Sequence, residues 1–190
     1  MNLLQRLYHG IYIRFRKWHY KFISQGKYTG VKPSIGQPVL FSGPGTIHFE
    51  GLCFFGVFTS PGFYSTYGYI EARGKTSKII FGDSTIFNNN CQIIAGEGMI
   101  RVGNQCRIGL NCSILNSDFH NIDPATRDTP PFPSGDITIG NNIYIGNNVT
   151  ILKGVTIGDN VTIGIGSVVT RDIPANCIAA GIPARVIKQI

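Results

Sequence analysis

The sequence predicts an all-β fold: a parallel β-helix, meaning a solenoid of short stacked coils, with a helical segment at its N-terminus and one loop thrown out of its wall. Three observations carry the prediction. Apolar residues recur every six positions along much of the chain, Gly-Asn, Asn-Asn and Asp-Asn pairs separate them, and the stretch 115–136 breaks the count with a Pro- and Asp-rich composition.

The repeat is clearest from Ile137 to Gly166, where ITIGNN, IYIGNN, VTILKG, VTIGDN and VTIGIG follow one another. The third position of each unit is Ile139, Ile145, Ile151, Ile157 and Ile163, and Val169 continues it. Two residues earlier stand Ile137, Ile143, Val149, Val155, Val161 and Ser167. Apolar residues two apart around a polar one make a very short strand with one buried face. The Gly and Asn that follow accept the positive φ of tight turns. Strands this short cannot build a sandwich, but they can stack as coils around an aliphatic column, three units closing one triangular turn of eighteen residues.

Backwards along the chain, Phe81, Phe87 and Ile93 keep step, Glu97-Gly98 displaces the count by three, and Val102, Ile108 and Ile114 resume it. Ile35, Phe41, Ile47 and Cys53 predict an earlier coil. Residues 54–79 lose the register and are expected to be irregular coil, with Phe54, Phe55, Phe58, Phe63, Tyr64, Tyr67 and Tyr69 serving as packing or as a stacking surface for a sugar. The expected organisation is a basic N-terminal segment over 1–32, a solenoid over 33–175 carrying the loop 115–136, and a tail over 176–190.

At 190 residues the chain suffices for one domain with a real interior. Its net charge of +7 sits in one place: Arg6, Arg14, Arg16, Lys17, Lys21, Lys27 and Lys32 fall within residues 1–32, which hold no acid, and the remainder balances ten cations against ten acids. A charge confined to one terminal segment argues against nucleic acid as the partner of the domain. Cys53, Cys91, Cys106, Cys112 and Cys177 form no C-x-x-C pair and no zinc spacing, so they are expected to be reduced and buried in a cytoplasmic protein, with no metal. No run is long and apolar enough to span a membrane. In the N-terminal segment, Leu4, Leu7, Tyr8, Ile11, Phe15, Trp18 and Phe22 fall near helical spacing with Arg and Lys between them. Two roles stay open for this helix: peripheral contact with an anionic membrane, or a cap on the open end of the solenoid that also packs against neighbouring copies of the chain.

Within the loop the count of six calls for an aliphatic residue at 120 and finds His120. A histidine where the wall opens can face a groove, and its ordinary pKa of about 6.5 suits the removal of a hydroxyl proton. Asp118, Asp123 and Asp128 crowd the same loop; one of them could orient the imidazole or bind substrate, and Asp123 before Pro124 also suits a turn.

The hexapeptide units, the DFHNIDPATR loop, VTIGIGSVVTRDIPAN and the ending AAGIPARVI together resemble the left-handed β-helix acyltransferases, in particular the galactoside and maltose O-acetyltransferases and the enzymes that acetylate capsule and lipopolysaccharide sugars. The resemblance implies a left-handed coil, a homotrimer, and acetyl-coenzyme A lying in a groove between neighbouring solenoids. It implies His120 as the general base, Asn89 as the amide facing the oxyanion, and Glu97 as an acid touching the acceptor; Asp118 and Asp123, by their place in the same loop, are expected as further substrate contacts. For the cofactor it implies Tyr144 beside the thioester arm, Asn147 and Ile165 along it, and Thr170, Arg171, Arg185 and Lys188 toward its phosphates. Ile165 replaces a residue usually small in the family, and Asn121 stands where Pro is common. Arg127 matches a recurrent arginine that ties the loop down. The expected activity is acetyl transfer to a hydroxyl of a surface-polysaccharide sugar or its precursor. An N-acyltransferase acting on an amino-sugar nucleotide and a non-catalytic binding solenoid are the alternatives; a zinc carbonic anhydrase on a similar solenoid would need three histidines, and the repeat region holds only His48 and His120.

Overall fold

A computed structural model describes residues 2–190. The chain opens with a helix, Leu3–Ile23, started by a capping box in which the Asn2 side chain accepts from the Gln5 amide and the Gln5 side chain accepts from the Asn2 amide. The β-branched residues and Gly10 do not break it.

Three parallel sheets then form the faces of a triangular prism. Face A stacks Tyr28–Gly30, Thr46–Phe49, Lys78–Phe81, Met99–Val102, Ile137–Ile139 and Thr156–Ile157. Face B stacks Ser34–Ile35, Phe54–Phe55, Ile86–Phe87, Arg107–Ile108, Tyr144–Ile145, Thr162–Ile163 and Cys177–Gly181, with Ala184–Gln189 added antiparallel at its end. Face C stacks Val39–Ser42, Gly68–Ala72, Gln92–Ala95, Ser113–Leu115, Thr150–Ile151 and Val168–Val169.

The register sets like upon like. Phe81, Val102, Ile139 and Ile157 stand one above another on face A, and Phe87, Ile108, Ile145 and Ile163 on face B. Nearer the N-terminus the column is aromatic: Phe49 stacks on Phe81 at 4.8 Å and Phe55 on Phe87 at 4.7 Å. At the corners, asparagines in the left-handed region hand a hydrogen bond from coil to coil. Asn90 (φ 59°), Asn111 (φ 57°) and Asn148 (φ 57°) form one such ladder, and Asn142, Asn160 and Asn176 another. Asn tolerates this backbone and supplies both a donor and an acceptor.

Three expectations need correction. The solenoid starts at Tyr28, whose strand pairs with Thr46–Phe49, and not at 33. Residues 54–79 are not irregular throughout: Phe54–Phe55 and Gly68–Ala72 are coil strands, and only 56–67 leave the wall as a second excursion. The count is lost because that excursion inserts residues between two normal strands. Residues 176–190 are not a loose tail; Cys177–Gly181 continues face B and the chain folds back on it. The displacement at Glu97-Gly98 reflects four-residue strands on faces C and A at that level, a longer wall and not a loop.

The helix lies against this excursion and the first strands. Arg16 is buried and donates to the Phe63 and Thr66 carbonyls at 3.1 and 2.7 Å, and Lys17 donates to the Ile35 carbonyl at 3.0 Å. It therefore packs on the open end of the solenoid.

Replacing a fully buried column residue should be costly, since a rigid coil stack closes poorly over a cavity. Ile145→Ala is expected to lose about 3 kcal/mol of unfolding free energy, read as a lower denaturant midpoint with unchanged slope. The five cysteines are free and buried. Burial pushes the Cys112 thiol from its ordinary 9.0 up to about 11, and the Cys53 thiol up to about 12. Raised acids are stabilising only while protonated, so their contribution is complete below about pH 9 and is lost as pH climbs toward 11 and 12. The denaturant midpoint should fall between about pH 9 and about pH 11, and a Cys53→Ala, Cys112→Ala protein should show a shallower fall.

Candidate active site

The turns of the prism lie in three columns, and the residues singled out by sequence divide between two of them. The corner between faces C and A carries 96–98, the loop 116–136, 152–155 and the turn that starts at 170. The corner between faces B and C carries 88–91, 109–112, 146–149 and 164–167.

His120 is at the CA corner with its side chain 63% exposed, outside the aliphatic column. Its Nδ1 is 3.0 Å from Asp128 Oδ1. An ionised carboxylate only accepts, so this contact places the ring hydrogen on Nδ1 and leaves the Nε2 lone pair free. Among the three loop aspartates, the partner of the imidazole is thus Asp128. Asp118 pairs with Lys153 at 2.6 Å and anchors the loop base to the next coil. Asp123 accepts from the Ala125 amide at 2.9 Å, the turn that its place before Pro124 suggests. Asn121 donates to the Thr126 and Thr129 carbonyls, and Arg127 reaches the Ile122 carbonyl at 3.5 Å, so both close the loop on itself.

At the same corner runs a crevice of about 440 Å³ lined by Arg73, Glu97, Ser117, Phe119, Phe132 and Pro131, among others, which His120 itself does not line. Phe132 is 6.0 Å from the His120 ring, and the Arg73 guanidinium lies 4.4 Å over Phe119. Glu97 accepts from Thr76 Oγ1 at 2.8 Å, and its backbone is fixed by Asn116, which donates to the Glu97 carbonyl at 2.6 Å. Two features here carry no sequence signal. Phe119, a bulky residue, holds φ of +60° immediately before His120, strain of a kind that concentrates at functional sites. Arg73 and Phe119, far apart in sequence, meet only through the coil stacking.

On face B and the BC corner, Tyr144 and Asn147 line a groove of about 280 Å³ together with Val57, Ile86, Asn88 and Arg107. Tyr144 stands outward and exposed; Asn147 Oδ1 accepts from the Leu110 amide at 2.9 Å. Ile165 is exposed at the same corner one coil on. Apolar flanks, an exposed ring and a guanidinium fit a thin polar-headed arm, and the groove is too small for a whole nucleotide cofactor. Thr170 and Arg171 are exposed but belong to the CA corner, and Arg185 and Lys188 lie on the antiparallel strand that ends face B. Asn89 is fully buried at the BC corner, donating to the Val57, Ser60 and Pro61 carbonyls at 2.9 to 3.1 Å and accepting from the Val57 amide. In this arrangement its amide is spent on the 57–61 turn; that turn would have to open for Asn89 to meet an oxyanion.

One chain therefore assembles Glu97, Asp118, His120, Asp123, Asp128, Thr170 and Arg171 at one corner, and Asn89, Tyr144, Asn147 and Ile165 at another. No two of these groups from different corners share a crevice among those described. The described residues also hold no cluster of three metal-ligating side chains.

Residues 136–171 match the family model for the bacterial transferase hexapeptide, six repeats. The chain is 39% identical over 130 residues to the galactoside O-acetyltransferase of Escherichia coli K12, a match spanning 68% of this chain and 59% of that protein. It thus spans about three fifths of that relative's length. Among solved structures, a galactoside acetyltransferase in complex with coenzyme A is 30% identical with a TM-score of 0.57, over 83% of this chain and 64% of the other. A polysialic-acid-specific acetyltransferase is 28% identical with a TM-score of 0.60, over 85% and 73%. With this repeat and these neighbours, the solenoid is a left-handed parallel β-helix, and the chain belongs to the hexapeptide-repeat transferases.

Proposed function

We propose that the protein is an acetyl-coenzyme A dependent O-acetyltransferase acting on a sugar hydroxyl of a surface polysaccharide or its precursor. The observation that carries this is an exposed imidazole with Nε2 free, oriented by Asp128 and 6.0 Å from the ring of Phe132, which lines a crevice together with Glu97 and Phe119. The acyl-coenzyme A thioester supplies the activated carbonyl. His120 Nε2 takes the hydroxyl proton as the sugar oxygen attacks that carbonyl, and returns it to the sulfur as the carbon–sulfur bond breaks. Asp128 fixes the tautomer that makes Nε2 the base; both groups are well exposed, so this is a matter of orientation more than of stability. The aromatic rings and Glu97 suit a sugar, which stacks on apolar faces and donates hydroxyl hydrogen bonds. Tyr144, Asn147 and Ile165 are assigned to the pantetheine arm and Thr170, Arg171, Arg185 and Lys188 to the phosphate end.

We assign these roles to a homotrimer. The two corners of one chain are separated by the whole of face C, and a closed ring of copies sets the CA corner of one against the BC corner of the next. The site is then made between chains, with His120 from one copy and Tyr144 from its neighbour. Dependence on acyl-coenzyme A puts the reaction on the cytoplasmic side.

The test measures acceptor-dependent release of coenzyme A thiol from acetyl-coenzyme A across simple sugars, lipid-linked glycans and amino-sugar nucleotides. His120→Ala should lose about a hundredfold to ten-thousandfold in kcat while keeping cofactor affinity, and Asp128→Asn about tenfold. Full turnover by His120→Ala would remove the imidazole from the reaction, and transfer to the amine alone would establish the N-acyl alternative.

A further inference from the structure

An amphipathic helix packed on its own domain normally buries its apolar face. The helix Leu3–Ile23 buries only one apolar side chain, Ile13. The rest of its inward contacts are polar: His9 bonds the Tyr64 hydroxyl at 2.8 Å, Tyr12 donates to the Tyr64 carbonyl, Arg16 is buried against 63–66, and Lys17 reaches Ile35. Its outward face is a continuous stripe of Leu4, Leu7, Tyr8, Ile11, Phe15, Trp18 and Phe22, each between 56% and 76% exposed. At helical spacing these seven residues fall within about 100° of arc, and the exposed Arg14 and Lys21, seven positions apart, border one edge.

Next to the stripe is a basin of about 780 Å³ between the helix and the first coil, lined by Lys17, Lys21, Lys27 and Lys32 with Tyr28 and Ser34, and by no acid. Lys21 belongs to both features. Neither one is used by the chemistry at the corners of the prism.

We propose that this end of the molecule docks on an anionic membrane, with the outward face of the helix lying in the headgroup boundary and the lysine basin receiving lipid phosphates. The helix is not long and apolar enough to cross a bilayer, and a broad apolar face beside Lys and Arg, with Trp and Tyr upon it, is the composition of a helix that lies in the interface plane. Pairing of this face with the same face of a second copy is disfavoured, because residues 1–32 carry seven cations and no acid and two such faces would repel; burial on a neighbour's solenoid is one outcome of the vesicle experiment. Free phosphate would satisfy the basin but not the stripe. In a trimer the three helices share one end of the assembly, so the contact would be threefold.

Trp18 is the only tryptophan, so its emission reports this face alone. The full-length protein is titrated with phosphatidylcholine vesicles and with vesicles containing about 30% phosphatidylglycerol. Expected are a blue shift and co-sedimentation with the anionic vesicles only, weakening as salt rises. Lys21→Glu, Lys27→Glu, Lys32→Glu should reduce partition about a hundredfold or more, and Ile11→Ser, Phe15→Ser should abolish it; both sets lie on exposed positions. His120→Ala should bind vesicles as the parent does, which keeps this test separate from the catalytic one. The proposal is overturned by absence of binding to anionic vesicles. It is equally overturned if inorganic phosphate fully displaces the protein at an ionic strength where chloride does not, if either variant binds undiminished, or if the apolar variant changes only the oligomeric mass.

Discussion

The stacking of coil upon coil, with an inward apolar residue every six positions, fixes nearly everything else in the molecule. Each strand pairs in register with the strand one coil before it and one coil after, so a residue's place in the count determines its face, its corner and its neighbours. The column filled by Ile139, Ile145, Ile151 and their equivalents is narrow and close-packed, and it holds three rigid turn columns at fixed angles. Chemistry can then be placed on the corners, where a loop may leave the wall without disturbing the core.

That constraint explains which parts of the fold are legible in the sequence. From Ile137 to Val169 the pattern is regular, and face, burial and turn all follow from it. Toward the N-terminus it fails at one place for one reason: residues 56–67 leave the wall between two ordinary strands, and nothing local distinguishes Phe54 in a strand from Phe58 outside it. The side chains that hold this excursion, Gln37, Asn89 and Arg16, are distant in sequence and recognisable only once the coils are stacked. The helix is legible by its period, but not its orientation. Periodicity gives the existence of an apolar face; whether that face meets the protein or the solvent is decided by what the excursion 56–67 and the first coil offer, here carbonyl groups suited to Arg16 and to Lys17 respectively.

The site is legible as residue types and much less as an arrangement. His120 stands out because it interrupts an aliphatic series, and its exposure on the loop follows from that break. The assignment of its partner does not: Asp118, Asp123 and Asp128 look alike in sequence, and the structure gives them to Lys153, a turn amide and the imidazole respectively. Phe119 in the left-handed region and Arg73 above it have no sequence signal at all. The division of the functional residues between two corners is a matter of counting in sixes, since only turns separated by whole coils share an edge of the prism.

On the proposed mechanism the reactive centre is completed between chains, with the imidazole from one copy and the thioester groove from the next. Mixing tests this most directly. Chains carrying His120→Ala and chains carrying Tyr144→Ala with Asn147→Ala, each inactive alone, are unfolded and refolded together in equal amounts. Random trimers with shared sites should recover about a quarter of the parent activity, because a quarter of the interfaces pair two intact halves. Mixtures as inactive as their components would show that each chain builds its site alone, and would contradict a centre shared between neighbours.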